Sequence, residues 1–167
     1  MKKLFVLIVI VGVIVVGVYF LVKRFSKNDE SQIKEVFKSL SGSLSYSGGL
    51  SNFEKLKRSE NIVNRFVPEV YIEIEGIGPV PISFRGREEI RNTLMFAFNQ
   101  VRELRVNFDD TKVQLGPDKL NATVITTASA SANNGEDYGV QEVECRLIKT
   151  NKAWLIERVA TRDILRR

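Results

Sequence analysis

Residues 142–159 read EVECRLIKTNKAWLIERV, and this stretch decides the fold. In its first six residues every second side chain is apolar and the others are charged, which is the period of a strand with one buried face. A polar break then precedes a second apolar run that begins at Trp154. The stretch therefore predicts two antiparallel strands, over 138–149 and 154–160, joined by a short turn.

The alternation gives the first of these strands two different faces. Its apolar face carries Val143, Cys145 and Leu147, which places the only cysteine of the chain in the core as an unreactive thiol. Two interpretations of the other face remain open: an exposed surface with cross-strand ion pairs, or a surface that pairs two copies of the chain. The residues of that face are Glu142, Glu144 and Arg146.

Two more strands are predicted upstream, over 104–115 and 120–132. In the first of them the apolar residues change from even to odd positions across Asp109 to Lys112. One extra residue at that point, a β-bulge, would keep both halves facing the same core and would bend the strand. These strands predict a curved antiparallel sheet.

Three helices are predicted before these strands, over 28–41, over 51–65 and from Gly86 onward, because apolar residues recur there at helical spacing. A half-buried strand, 70–75, and a brief return strand, 82–84, lie between the second and third helices. This order predicts an α+β fold in which three helices pack on one face of the sheet. The helix residues expected in the core are Ile33, Val36, Phe37, Leu40, Phe53, Leu56, Val63, Phe66, Ile90, Leu94, Met95, Phe96, Phe98 and Val101.

An uncharged run of nineteen residues, Leu4 to Val22, precedes these elements. At ~1.5 Å per residue a helix of this length reaches about 28 Å, close to the hydrocarbon thickness of a bilayer. A cleaved signal peptide is the alternative, but the run is long, is closed by Lys23-Arg24 and lacks a small-residue cleavage site. We therefore expect a retained transmembrane anchor in 1–27 and one folded domain in 28–167.

The orientation of this anchor is a separate prediction, because basic residues flank both of its ends. A two-lysine start before a single N-terminal span resembles bacterial signal anchors. We therefore expect a single-pass protein of the bacterial inner membrane whose domain lies outside the cytoplasm.

The net charge of +5 comes from the flanks of the apolar run. Five of the 25 Lys and Arg residues lie there, and the other 20 equal the Asp and Glu residues in number. A balanced domain lacks the basic surface that nucleic acid binding requires, so no nucleic acid partner is expected.

The chain contains no histidine. Catalytic triads, cysteine–histidine dyads and histidine general bases are therefore excluded. A zinc site would need carboxylates and one thiol, which is an uncommon ligand set, so neither a metal nor a cofactor is expected.

Three segments together suggest a family. VPEVYIEIEGIG (67–78), FRGREEIRNTL (84–94) and the stretch quoted first resemble, in this order, the nuclear transport factor 2-like superfamily, which includes SnoaL-like polyketide cyclases and ketosteroid isomerase. The resemblance covers 28–162. It implies a cone-shaped sheet wrapped around a long helix, enclosing a pocket, and it implies no particular activity, because this fold hosts enzymes, binders and scaffolds.

Chemistry of the ketosteroid isomerase type needs a carboxylate base and hydrogen-bond donors for the developing oxyanion. The pocket candidates are Tyr71, Glu73 and Glu75 on the first strand and Asp109 and Asp110 at the bulge. The competing interpretation is that the first three form a solvated strand face and the last two a polar bulge. No position matches a diagnostic catalytic motif of the family, so no catalytic residue is assigned.

The sequence favours a membrane-anchored, non-enzymatic domain that binds a protein partner or a small apolar ligand. One alternative is a carboxylate-based isomerase or cyclase that acts on an apolar substrate. A third hypothesis is a scaffold in an envelope or secretion complex. A homodimer formed through the sheet face is compatible with each of them.

Overall fold

The computed structural model describes residues 28–75, 81–135, 137–151 and 153–162. In these ranges the helices are α1 (Asp29–Leu44), α2 (Asn52–Val63) and α3 (Gly86–Gln100). The strands are β1 (Phe66–Ile74), β2 (Ile82–Arg85), β3 (Leu104–Leu115), β4 (Asn121–Ala132), β5 (Asp137–Thr150) and β6 (Ala153–Thr161). The α+β architecture predicted from the sequence is confirmed.

The six strands form one sheet in the order β2-β1-β6-β5-β4-β3. The hairpin predicted from residues 142–159 is β5–β6, and it pairs Cys145 with Val159 and Leu147 with Ile156. The predicted antiparallel pairing is confirmed from β3 to β6, but the sheet is not antiparallel throughout, because β1 pairs with β6 in parallel. Most of the domain lies between these two strands in sequence, so no tight turn forces them to run in opposite directions.

The predicted bulge in β3 is confirmed. Asp109 pairs with Thr127 and Lys112 pairs with Ile125, so two residues of β3 lie opposite Thr126 alone. Asp110 takes up the extra length with a φ of 52°, a left-handed conformation that aspartate tolerates better than most residues. The fully buried hydroxyl of Thr126 donates to the carbonyl of Asp109 at 2.8 Å and lies 3.0 Å from the hydroxyl of Thr111.

The inner face of the sheet packs against the helices. The predicted stripe of α1 is confirmed, since all four of its apolar residues are buried. One of them, Phe37, meets Phe108 of β3 edge to face, with the ring centroids 5.5 Å apart. From the hairpin, Cys145, Leu147 and Trp154 join the same core.

Three helix residues expected in the core lie at the surface instead. Phe53 is 73% exposed, Leu56 is 50% exposed and Phe96 on α3 is 67% exposed. In α2 the buried positions are Ser59, Ile62 and Val63, all in its second half. The first half of α2 therefore projects past the core, and a capping box stabilises its start instead of apolar packing.

The start of α1 is attached to the turn between β5 and β6. The carboxylate of Asp29 accepts hydrogen bonds from the ammonium of Lys149 and, at 3.2 Å, from the indole N–H of Trp154. The chain therefore enters the domain at the β5–β6 turn. Within the described ranges no helix is long and apolar enough to span a bilayer, and the predicted anchor, Leu4 to Val22, lies outside those ranges.

Candidate functional site: an apolar cavity

A cavity of about 320 Å³ lies between the helices and the inner face of the sheet. All three helices and all six strands contribute side chains to its wall. Among the described residues that line it, all are hydrophobic except Thr93, and Cys145 supplies the only sulfur atom. The volume is at the lower end of the range for small-molecule sites.

Burial varies along the cavity. Ile62, Cys145 and Ile156 are at most 2% exposed and form its floor. Phe84 and Leu94 are only half-buried, and Thr93 is exposed. The cavity therefore opens between α3 and the β1–β2 hairpin.

The pairing of β1 with β2 explains this wall. Ile72 lies opposite Phe84 and Ile74 lies opposite Ile82, so large apolar side chains share the inner face of both strands. On β4, Ala128 lies opposite Phe108 of β3. A small residue beside a large one leaves space that the core does not fill.

The two lining side chains with polar or ionisable groups offer little chemistry. The hydroxyl of Thr93 donates to the carbonyl of Glu89 at 2.9 Å, inside its own helix. Burial, aided by the negative charge of Glu144, raises the pKa of the Cys145 thiol to about 12, so the thiol stays protonated. This wall can enclose apolar surface, but it supplies no acid, base or metal ligand among the described residues.

The structure places Tyr71 and Glu73 on the opposite face of β1, because Ile72 and Ile74 take the inward positions. The ring of Tyr71 lies between the guanidinium groups of Arg85 and Arg158, at 5.1 and 5.6 Å. The carboxylate of Glu73 lies 3.5 Å from Arg158. Tyr71 and Glu73 are thus together, but on the outer surface of the sheet and outside the cavity.

The other three predicted pocket residues also lie outside the cavity wall. Glu75 is exposed just after β1, where its N–H donates to the Thr161 hydroxyl and its carbonyl accepts from the amide of Gln141. Asp109 and Asp110 belong to the β3 bulge, and Asp110 borders a separate polar depression. Strand alternation and bulge geometry therefore direct all five candidates away from the apolar space.

The alternation predicted inward residues of the wall, and the resemblance implied a pocket, but neither predicted the position of the space. Val143, placed in the core from its alternation, does line the cavity. One signal was available: the small residues at 126–132, which include Ala128. Whether small side chains leave a cavity depends on what faces them across the core, and the sequence does not state that.

The outer face of β5 carries the charges that the alternation predicted. Arg162 lies 3.8 Å from Glu142 and 4.0 Å from Glu144. Arg146 lies directly opposite Arg158. Exposed pairs at these distances add little stability.

The fold is the α+β fold of solved structures that are described as NTF2-like or cystatin-like. No family model matches the chain. No curated protein matches it either. Many solved structures do match it, and they confirm the fold that the sequence motifs suggested.

Three of these structures illustrate the likeness. An NTF2-like protein with a cystatin-like fold from Novosphingobium aromaticivorans matches 92% of this chain and 90% of its own, at 12% identity and a TM-score of 0.61. An NTF2-like protein of unknown function from Pseudomonas putida matches 79% and 84%, at 8% identity and a TM-score of 0.61. A proposed scytalone dehydratase from N. aromaticivorans matches 78% and 80%, at 15% identity and a TM-score of 0.58. Likeness at such identities shows the fold alone.

Proposed function

We propose that this chain binds a small apolar ligand in its cavity, without chemical conversion, and that the segment Leu4 to Val22 holds the domain at a membrane. The observation that carries the proposal is the wall of the cavity, which the described residues make apolar apart from Thr93. A ligand gains roughly 25 cal/mol for each Å² of apolar surface that it buries there.

Polar ligands are disfavoured by the same wall. A hydroxyl or amide group that loses water without gaining a partner costs about 2–7 kcal/mol. The one lining hydroxyl, on Thr93, already donates within α3. The cavity therefore selects ligands whose buried part carries no hydrogen-bonding group.

The alternative of a carboxylate-based enzyme needs a general base beside the substrate. The candidate carboxylates of Glu73 and Asp110 lie on the outer face of the sheet and at the bulge, away from the cavity. The position of these carboxylates supports a binding role over a catalytic one.

A titration with two fluorescent probes tests the proposal. One is a ring compound, N-phenyl-1-naphthylamine, and the other is a chain compound, cis-parinaric acid. The full-length chain is held in amphipol, because the alkyl chain of a detergent would compete. At least one probe should bind with a gain in fluorescence, and binding of neither would contradict the proposal.

Two matched substitutions show where the probe binds. Ala128→Trp fills the cavity from β4, whereas Ser129→Trp adds the same side chain at the next position, on the opposite face of the strand. We expect Ala128→Trp to weaken binding at least tenfold and Ser129→Trp to leave it within about twofold. Equal binding by both variants would place the probe elsewhere.

The membrane part of the proposal has its own test. The two-lysine start before a single apolar run supports a domain outside the cytoplasm, whereas the basic residues on the two sides of the run are nearly balanced. Protease added to intact spheroplasts should then digest the domain, and a domain that resists the protease would overturn this orientation. Purification with a stoichiometric protein partner would instead support the scaffold hypothesis.

A further inference from the structure

We propose that the ligand is a single hydrocarbon chain that enters tail first and leaves its polar end at the mouth. This inference rests on the proposed function and names the class of ligand. It follows from three features of the cavity: its interior chemistry, the length of its wall and the position of its mouth.

The interior chemistry excludes ligands with polar groups at both ends. At the floor, Ile62 and Ile156 offer only hydrocarbon, and the protonated thiol of Cys145 is a weak hydrogen-bond donor. A rigid ring system with an oxygen at its far end would bury that oxygen without a partner. A hydrocarbon tail has no such group to bury.

The length of the cavity wall accommodates a chain. The wall can be followed along β6 because β1 runs beside it. Phe66, at the floor, pairs with Ile156, and Glu73 pairs with Ala160, so Ile74 at the mouth is level with Thr161. Five residues of strand separate these levels, or about 16 Å. A wall of this length accommodates an extended hydrocarbon chain.

Polar groups surround the mouth, although Thr93 is the only polar side chain that the described residues contribute to the wall. Thr93 is exposed there, and the peptide group of Glu75 is held beside Ile74 by the side chains of Gln141 and Thr161. A polar head group left at the mouth stays in contact with water and with these groups. An amphiphile with one chain therefore satisfies both ends of the site.

The mouth lies near the C-terminal end of β6. The chain enters the domain at the other end of this strand, where Asp29 accepts a hydrogen bond from Trp154. Free fatty acids and phospholipid acyl chains share the required tail. They differ in delivery, since the first arrives from solution and the second must be drawn from a bilayer.

A series of straight-chain acids, from hexanoic to hexadecanoic acid, tests the inference by displacement of a bound probe from the full-length chain. Each added methylene should tighten binding about fourfold until the cavity is full, after which the affinity should level off. An affinity that does not change with chain length would overturn the inference.

A ring of equal size provides the matched control. Undecanoic acid and adamantane-1-carboxylic acid have the same number of carbon atoms and the same head group, but the compact ring has less apolar surface, so each affinity is compared after division by the acid's water-to-alkane partition coefficient. We expect the chain to bind at least tenfold more tightly than the ring. Tighter binding of the ring would overturn this inference and leave the proposed function standing, whereas no binding of any probe or acid would overturn both.

A substitution at the mouth tests the entry route. Leu94→Trp, on the half-buried face of α3 that lines the cavity, should weaken undecanoic acid at least fivefold. Asn92→Trp, exposed on the same helix, should have no effect.

Incubation with phosphatidylglycerol vesicles, followed by mass spectrometry of the reisolated protein, then distinguishes the sources: bound phospholipid indicates delivery from a bilayer, and capture of hexadecanoic acid alone indicates delivery from solution. Capture of neither would overturn the inference.

Discussion

At the scale of single residues, the face of the sheet on which a side chain lies decides whether it can contact a ligand in the cavity. Tyr71 and Glu73 had the chemistry of a catalytic pair, but their positions on β1 direct them to the outer face. Cys145, which the sequence predicted to be an unreactive thiol, lies at the floor of the cavity. Strand alternation thus decides which residues can meet a ligand.

The buried thiol of Cys145 should react slowly with thiol reagents. Burial raises its pKa from 9.0 to about 12, which lowers the reactive thiolate fraction at pH 8 about 1000-fold. We expect iodoacetamide to alkylate the folded chain at least that much more slowly than the chain in denaturant, as followed by mass spectrometry. Comparable rates in the two states would show that the thiol is not buried as described.

Asp29 should stabilise the domain at neutral pH. The hydrogen bond from Lys149 holds the pKa of Asp29 below its usual 3.8, against the opposing effect of burial, and the indole of Trp154 adds to the lowering. Because the folded pKa is lower than the unfolded pKa, this stabilisation is present above the unfolded value and is lost as pH falls through the folded value.

The substitution Asp29→Asn should therefore lower the free energy of unfolding by roughly 1 kcal/mol at pH 7 and by progressively less below about pH 4. Chemical denaturation at several pH values measures this. Glu30→Gln is the control, because Glu30 pairs with Lys34 at the surface, where such pairs contribute little. A pH-independent loss at Asp29 would contradict the assigned role.

At the scale of elements, local patterns predicted β3 better than they predicted α2. The change of parity across Asp109 to Lys112 required a bulge, and the bulge is present. In α2 the apolar spacing of Phe53 and Leu56 suggested burial, but the first half of that helix projects past the sheet. Parity is a property of the chain itself, whereas burial depends on which neighbour covers a face.

The bulge should depend on the hydroxyl of Thr126. Thr126→Val keeps the shape of the side chain but removes the donor to the Asp109 carbonyl, and we expect the free energy of unfolding to fall by about 1–3 kcal/mol. Thr123→Val, on the outer face of the same strand, should change it by less than about 0.5 kcal/mol. Urea denaturation compares the two variants, and equal losses would show that the buried hydroxyl is not special.

At the scale of the whole molecule, the sequence predicted the fold class and the β5–β6 hairpin, because both follow from short-range periodicity. The resemblance of three segments to a known superfamily suggested the same fold, and the matching structures confirm that fold. The sequence did not predict the parallel pairing of β1 with β6, which is set by the path of the entire chain. The resemblance implied a pocket, but the sequence did not predict which residues form its wall. The wall combines all nine helices and strands, and empty space is defined only when all of them are in place.

The most direct test of the central claim is an NMR measurement of contacts between the full-length chain and bound ¹³C-labelled undecanoic acid. The account predicts nuclear Overhauser effects from the terminal methyl group of the acid to the methyl groups of Ile62 and Ile156 at the floor of the cavity. Contacts confined to the exposed apolar side chains Phe53 and Leu56 would contradict it, because the acid would then bind the surface of α2 and leave the cavity empty.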